Sequence, residues 1–275
     1  MSDNLTTTNP PTPPSARVLL VGDVHGNIPA LEAAFRAAQS VGALAIIQLG
    51  DFGFGWAIDG AGRCSFSFRA ARYAEQYGVP LYFIDGNHEN FDRLEKIPVD
   101  PATGHRPIFD GVTHLPRAST LTIAATRFRA FGGAYSVDID HRTPHKSWWP
   151  QETVTEDDVA RAIAAGPADV FLSHDVPAGT QDTAGLARKL RAWGPNAASM
   201  SLANQEQVRR ALIASGARWA FHGHLHEYRE CYIDANHELP FVTGLHCDGH
   251  FGNRFVLPLP IATDRPTHEF AGEVI

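Results

Sequence analysis

Carboxylate and imidazole side chains recur in this chain in short blocks, each placed directly after a run of apolar residues. The blocks are Asp23-Val24-His25, Gly50-Asp51, Asn87-His88, His174 and His224-Leu225-His226. Oxygen and nitrogen donors of these kinds bind divalent cations. The Asp-x-His block puts two donors on one turn, and Gly22 and Gly26 let that turn fold tightly. The His-x-His block, if extended, points both rings the same way. Taken singly, a histidine after a strand reads as a hydrogen-bonded residue, and an Asp there as a cap or turn former. Five such blocks in succession read as the ligands of two metal ions, with Asp51 as the carboxylate that the ions share.

The elements that must carry these blocks follow from hydrophobic periodicity. Residues 18–21 form a short apolar run leading into Asp23. Pro29, followed by Leu31, Ala34, Phe35 and Ala38 at helical spacing, predicts a helix ending near Gly42. Residues 45–49 predict a buried strand that delivers Asp51, followed by a Gly-rich loop over 53–62. Residues 68–76 predict a helix stopped by Gly78, and residues 81–84 a strand delivering Asn87 and His88. Strand–helix–strand–helix–strand is the signature of a parallel sheet, whose ligands gather at the carboxyl ends of its strands. From Gly111 onward the pattern changes to short segments, 112–115, 120–123 and 127–131, read as antiparallel strands of a second sheet. Residues 134–151 are polar and aromatic and predict a long loop carrying Arg142, Trp148 and Trp149. Thr155 with Asp158 is a capping box for a helix ending at Ala165. Residues 170–173 then deliver His174, Asn204 with Gln207 caps a helix to Gly216, and residues 219–221 deliver the last block. Three further β segments, 229–233, 241–245 and 255–259, complete one domain over residues 16–275. Residues 1–15 are nearly devoid of apolar side chains and predict a disordered tail.

Composition narrows the classes of function. The chain has 275 residues, 44% of them hydrophobic, enough for a substantial core. Its formal net charge is -7, and its longest basic feature is Arg209-Arg210. Non-specific nucleic-acid binding rests on neutralising phosphates with Lys and Arg, so nucleic acid enters only as a substrate. Cys64, Cys231 and Cys247 form no C-x-x-C pattern and read as reduced thiols. No apolar leader segment and no run of ~20 apolar residues is present, which predicts a soluble, cytoplasmic protein without membrane contact.

Read with Gly86, Glu89 and Gly223, the five blocks resemble the signature of the calcineurin-like metallophosphoesterases, over roughly residues 17–228. The resemblance implies an α/β fold: a four-layer αββα sandwich, two mixed β-sheets face to face, flanked by helices. It implies that Asp23, His25 and His226 bind one metal, that Asn87, His174 and His224 bind the other, and that Asp51 bridges them. It places His88 outside the ligand set, over the leaving group, as proton donor or electrostatic stabiliser. The implied activity is hydrolysis of phosphate mono- or diesters by a metal-bridging hydroxide. A nuclease or cyclic-nucleotide phosphodiesterase is an alternative, and so is a non-catalytic, metal-stabilised scaffold that binds protein. Two divalent ions bring four positive charges and Asp23 and Asp51 return two, leaving a surplus suited to phosphate. Mixed imidazole and carboxylate donors suit Mn, Fe or Zn. The protein Ser/Thr phosphatases of the superfamily carry Gly-Asp-x-x-Asp-Arg-Gly, whereas this chain reads Gly50-Asp51-Phe52-Gly53-Phe54-Gly55. That departure argues against a protein-phosphatase reading. Arg142 is either a substitute phosphate ligand or a solvated loop residue. Trp148 and Trp149 either stack on an aromatic group of the substrate or, the preferred reading, pack the loop onto the domain. His222 reads as a support for the last block, and His246 and His250 as ordinary hydrogen-bonding residues.

Overall fold

Both faces of the first strand are apolar, so it must be covered on both sides. The computed structural model describes residues 16–56, 60, 62, 64–180, 190–233, 240–260 and 272–275, so the expected tail over 1–15 lies outside the described residues. In β1 (Ala16–Val21), Leu19 and Val21 face one cluster of buried side chains, while Val18 and Leu20 face another. The first cluster includes Leu31 and Phe35 of α1 (Ile28–Ser40), Phe66 and Ala70 of α2 (Ser65–Tyr77) and Leu94 of the short α3 (Phe91–Leu94). The second cluster lies between two sheets. It joins Val18, Leu20 and Ile47 to Phe128, Val170, Leu172 and Phe221. A third cluster covers the far face of the second sheet. There Phe131 and Phe171 pack on Val159 of α4 (Glu156–Ala164) and on Val208 and Leu212 of α5 (Pro195–Ser215). The layers therefore run helix, sheet, sheet, helix, and the α/β sandwich expected from the sequence is the observed fold.

The first sheet has the order β13-β12-β1-β2-β3-β5-β4, with β2 (Ile46–Gln48), β3 (Leu81–Phe83), β4 (Arg106–Phe109), β5 (Val112–His114), β12 (Arg254–Leu259) and β13 (Glu273–Val274). The second has the order β10-β11-β9-β8-β7-β6, with β6 (Thr120–Ile123), β7 (Thr126–Phe131), β8 (Val170–Ser173), β9 (Trp219–His222), β10 (Arg229–Tyr232) and β11 (Phe241–Gly244). Strands β1, β2, β3 and β5 are parallel to one another, as are β7, β8, β9 and β11.

Two expectations are corrected. Residues 112–114 belong to the first sheet and pair parallel with β3, not antiparallel in the second. Their antiparallel partner is β4, whose proline hid it from a strand pattern. The helix expected to start at Asn204 runs from Pro195 to Ser215, and Asn204 is interior. Asn204 is buried for a tertiary reason: its Nδ2 donates to Asp175 Oδ2 at 2.7 Å and its Oδ1 accepts from the Val154 amide at 2.9 Å. The capping box at Thr155 and Asp158 is present, and Gly78 and Gly216 end their helices in the left-handed conformation.

Candidate active site

The carboxyl ends of β1, β2, β3, β8 and β9 converge on one edge of the sandwich, and there the five blocks meet. Asp23 and Asp51 are buried at the centre. Asp23 Oδ2 lies 2.9 Å from His226 Nε2 and 3.8 Å from His25 Nε2. Asp51 faces both groups of donors: Oδ2 is 3.5 Å from His25 Nε2, and Oδ1 is 3.4 Å from His174 Nε2. His174 Nε2 is in turn 3.2 Å from Asn87 Oδ1. Candidate ligand atoms of Asp23, His25 and His226 lie within 4.8 Å of one another, and so do those of Asp51, His174 and His224.

Backbone geometry holds these side chains in place. His25, Asp51, His224 and His226 have φ of 44°, 53°, 66° and 51°, a left-handed conformation that is unfavourable for residues other than glycine. Such positions persist only where surrounding contacts enforce them, and they cluster at functional sites. The enforcing contacts are visible. The His25 amide donates to the Asp51 carbonyl at 2.9 Å, the His224 amide to Asp23 Oδ1 at 3.0 Å and the His88 amide to Asp51 Oδ1 at 2.9 Å. Buried Glu89 accepts from the Gly53 amide at 3.1 Å and the Gly86 amide at 2.5 Å, joining the Asp51 turn to the Asn87 turn. Gly86 is required by close approach, because a Cβ there would stand 2.9 Å from Asp51 Cγ.

Charge in the cluster is unbalanced. Among the described residues, the ion-pair partners of Asp23 and Asp51 are all histidines. Burial alone would lower His25 and His174, but the carboxylates outweigh it and raise them to about 9 and about 10. Burial likewise pushes Asp51 up, yet His174 and His25 hold it well below the usual carboxylate range. Protonated imidazoles here do what a cation would do, so the donor set fits divalent metal ions. His174 Nδ1 donates to the Leu49 carbonyl at 2.7 Å, so a metal ion that displaced the Nε2 proton would find the Nε2 lone pair facing the cluster. His25 Nδ1 lies 3.6 Å from Asp248 Oδ1, an ion-pair distance longer than a hydrogen bond.

A cavity of about 490 Å³ opens over the cluster, with His25, His88, Arg142, Trp193, Gln205 and Leu225 among its walls. Arg142 reaches across it: Nη2 donates to His88 Nε2 at 3.1 Å and Nε to Asp138 at 2.8 Å. A guanidinium only donates, so His88 is neutral there and its Nε2 is the acceptor. Burial lowers His88 further than the nearby Asp51 carboxylate raises it. Trp149 is buried away from this cavity, and half-buried Trp148 does not line it either. The aromatic groups at the site are instead Trp193 and Trp56. The Trp56 indole N–H donates to the His88 carbonyl, and its ring lies 6.3 Å from that of His25. Buried His222 donates from Nδ1 to the Gly223 carbonyl at 2.9 Å, behind the last block.

A profile of the calcineurin-like phosphoesterase family matches residues 16–228. The chain belongs to the calcineurin-like phosphoesterases. Among solved structures, a dimetal phosphatase from Danio rerio is 15% identical, with 90% of this chain and 93% of that one covered and a TM-score of 0.56. The protein TT1561 of Thermus thermophilus is 13% identical, covers 85% of this chain and 90% of its own, and has a TM-score of 0.52. At these identities the likeness concerns the calcineurin-like fold alone. A comparison with curated proteins gave no match. No helix among the described residues is long and apolar enough to cross a membrane.

Proposed function

We propose that this calcineurin-like protein hydrolyses phosphate mono- or diesters at a two-metal centre held by Asp23, His25, His226, Asn87, His174, His224 and the shared Asp51. The observation that carries the reading is the placement of Asp51, whose two oxygens face His25 at 3.5 Å and His174 at 3.4 Å. Two divalent ions held there would make hydroxide available near neutral pH and offset phosphoryl charge. Mn, Fe or Zn suit the donors. The chain's own residues do the rest. Asn87 presents its Oδ1 because its Nδ2 donates to Ser136 Oγ at 3.1 Å. Ser136 donates in turn to Glu152, which also accepts from the Trp149 amide at 3.0 Å. Arg142, held at the cavity wall by Asp138 at 2.8 Å, would serve as the hydrogen-bond donor to phosphate in place of the arginine that the second block lacks. His88 stands between Arg142 and Asp51; to assist a departing alkoxide it would have to take a proton from solvent on Nε2 and give up the Arg142 hydrogen bond there. Trp193 and Leu225 give the cavity an apolar side, which suits an ester whose remaining group is flat. That feature keeps a nucleotide diester among the substrates to try.

The test is metal analysis of the full chain followed by turnover of an aryl phosphate, a bis-aryl phosphate and a cyclic nucleotide with Mn added. Two ions per chain and turnover of at least one ester are expected. Full metal occupancy with no turnover of any of them would leave the scaffold reading in its place.

A further inference from the structure

Directly beside the proposed centre, the β11–β12 loop brings together donors of a different kind. We infer that His246, Cys247 and His250 form a third cation site, suited to a thiophilic ion such as Zn2+. One candidate ligand atom from each residue lies within 4.8 Å of the others. Cys247 Sγ is 3.4 Å from His246 Nδ1. Zinc bonds of ~2.3 Å to sulfur and ~2.0–2.1 Å to nitrogen at a tetrahedral angle put those atoms about 3.6 Å apart, so this pair already has the bite of a chelate. His246 Nδ1 accepts the Cys247 amide at 2.8 Å, which shows that this nitrogen carries a lone pair and not a proton. The ion would take that lone pair and displace the thiol proton of Cys247 to solvent. His250 stacks on His246 with ring centroids 4.1 Å apart and planes 18° apart. Stacked rings cannot both direct their lone pairs at one ion, so His250, which is exposed, would have to turn out of the stack to complete the set. A fourth position is left to water.

The loop is anchored rather than loose around these donors. The His246 amide donates to the Gly252 carbonyl at 2.9 Å, Asn253 Nδ2 to the His246 carbonyl at 2.8 Å, and the Asp248 amide to the Asp23 carbonyl at 2.8 Å. The sulfur sets this site apart from the neighbouring cluster, whose donors are carboxylate, amide and imidazole only. Softer ligands select softer ions, so the two sites differ in preference.

Cobalt(II) titration of the full chain tests the assignment, because only a thiolate ligand gives a sulfur-to-cobalt charge-transfer band. The wild type should show the band and bind one ion more per chain than Cys247→Ser, which should lack it. His250→Ala should weaken the binding that the band reports by at least about tenfold, the loss produced even by removing a hydrogen-bond partner of a ligand. Cys64→Ser and Cys231→Ser should keep the band unchanged. Zn2+ should also slow alkylation of Cys247, located by peptide mass spectrometry, in the wild type more than in His250→Ala. No band at saturating cobalt, a band that survives Cys247→Ser, or alkylation indifferent to Zn2+ would each overturn the site. None of these readouts depends on phosphoesterase turnover.

Discussion

Asp51 takes up a left-handed backbone conformation, accepts the His88 amide on Oδ1 and faces imidazoles with both oxygens. Asp51→Asn keeps the shape and that acceptor but removes the negative charge. Both ions should then weaken together and turnover should nearly vanish, while the circular dichroism spectrum stays the same. Retention of half the activity with two ions bound would exclude a shared carboxylate. His88 makes a separable prediction. His88→Ala should leave metal content unchanged and slow alkyl phosphate esters by roughly 10²–10⁴-fold, the usual weight of general acid–base catalysis. Nitrophenyl esters, whose leaving group needs no proton, should slow far less. Equal slowing would make His88 a stabiliser of phosphoryl charge. The donor blocks could be read because each follows its own strand, where type and position coincide. Ser136, Glu152, Asp248 and Trp193 could not, since their meaning is a contact: Ser136 meets Asn87 across 49 positions and Asp248 meets Asn27 across 221.

Among the elements, the loop between β7 and α4 contributes most to the site. It carries Ser136, Arg142 and Glu152, and its C-terminal end is held by Arg117, which donates to the Gln151 carbonyl at 2.6 Å and the Thr153 carbonyl at 3.1 Å. Removing the Ser136 hydroxyl frees the Asn87 amide to turn its nitrogen inward. Ser136→Ala should therefore cost one ion roughly 10–100-fold in affinity, as loss of a ligand's hydrogen-bond partner does. Ser136→Thr should restore most of it, as metal-binding titrations of both variants would show. Equal affinities for wild type and Ser136→Ala would remove the positioning role. The following helix gives a purely structural counterpart. Thr155 Oγ1 accepts the Asp158 amide at 3.2 Å, and Asp158 Oδ2 accepts the Thr155 amide at 2.8 Å. Thr155→Ala should lower unfolding free energy by about 0.5–2 kcal/mol in urea, without change in metal content. That cap was legible because it is local. The parallel partner of β3 was not, because three alternating residues, 112–114, look the same in either sheet and in either direction.

At the scale of the molecule, a buried ionic network lies under the strand ends. Asp85 accepts from Arg117 Nε at 2.9 Å and pairs with His114 Nε2 at 3.1 Å. Burial pushes the Asp85 carboxyl up, but the Arg117 charge and the His114 hydrogen bond outweigh it and hold it well below the usual range. A carboxyl lowered on folding stabilises fully above its unfolded value near ~4 and loses that contribution as pH falls further. Asp85→Asn should thus cost about 3–5 kcal/mol at neutral pH, as broken buried pairs do, and the gap from wild type should narrow below about pH 4. Denaturant unfolding of both proteins at a series of pH values checks the sign; a gap that widened in acid would refute it. A second sheet was legible as the change of pattern after Gly111, and its stacking face to face on the first only through the family resemblance, whereas the pairing across them was not legible, because each sheet buries apolar residues of the same kinds. That pairing has a further consequence. Asp23, Asp51 and Asn87 follow strands of the first sheet, and His174, His224 and His226 follow strands of the second. An ion gripped by both groups can be held only while the sheets stay stacked, so each of the two proposed phosphoesterase metal sites would work as a clasp across the core. By mass action, free cation at ~100 times its dissociation constant adds about 2.7 kcal/mol per site to the folded state. The melting temperature of this protein should therefore follow the cation concentration around it, and a chelator should act on it as a denaturant would.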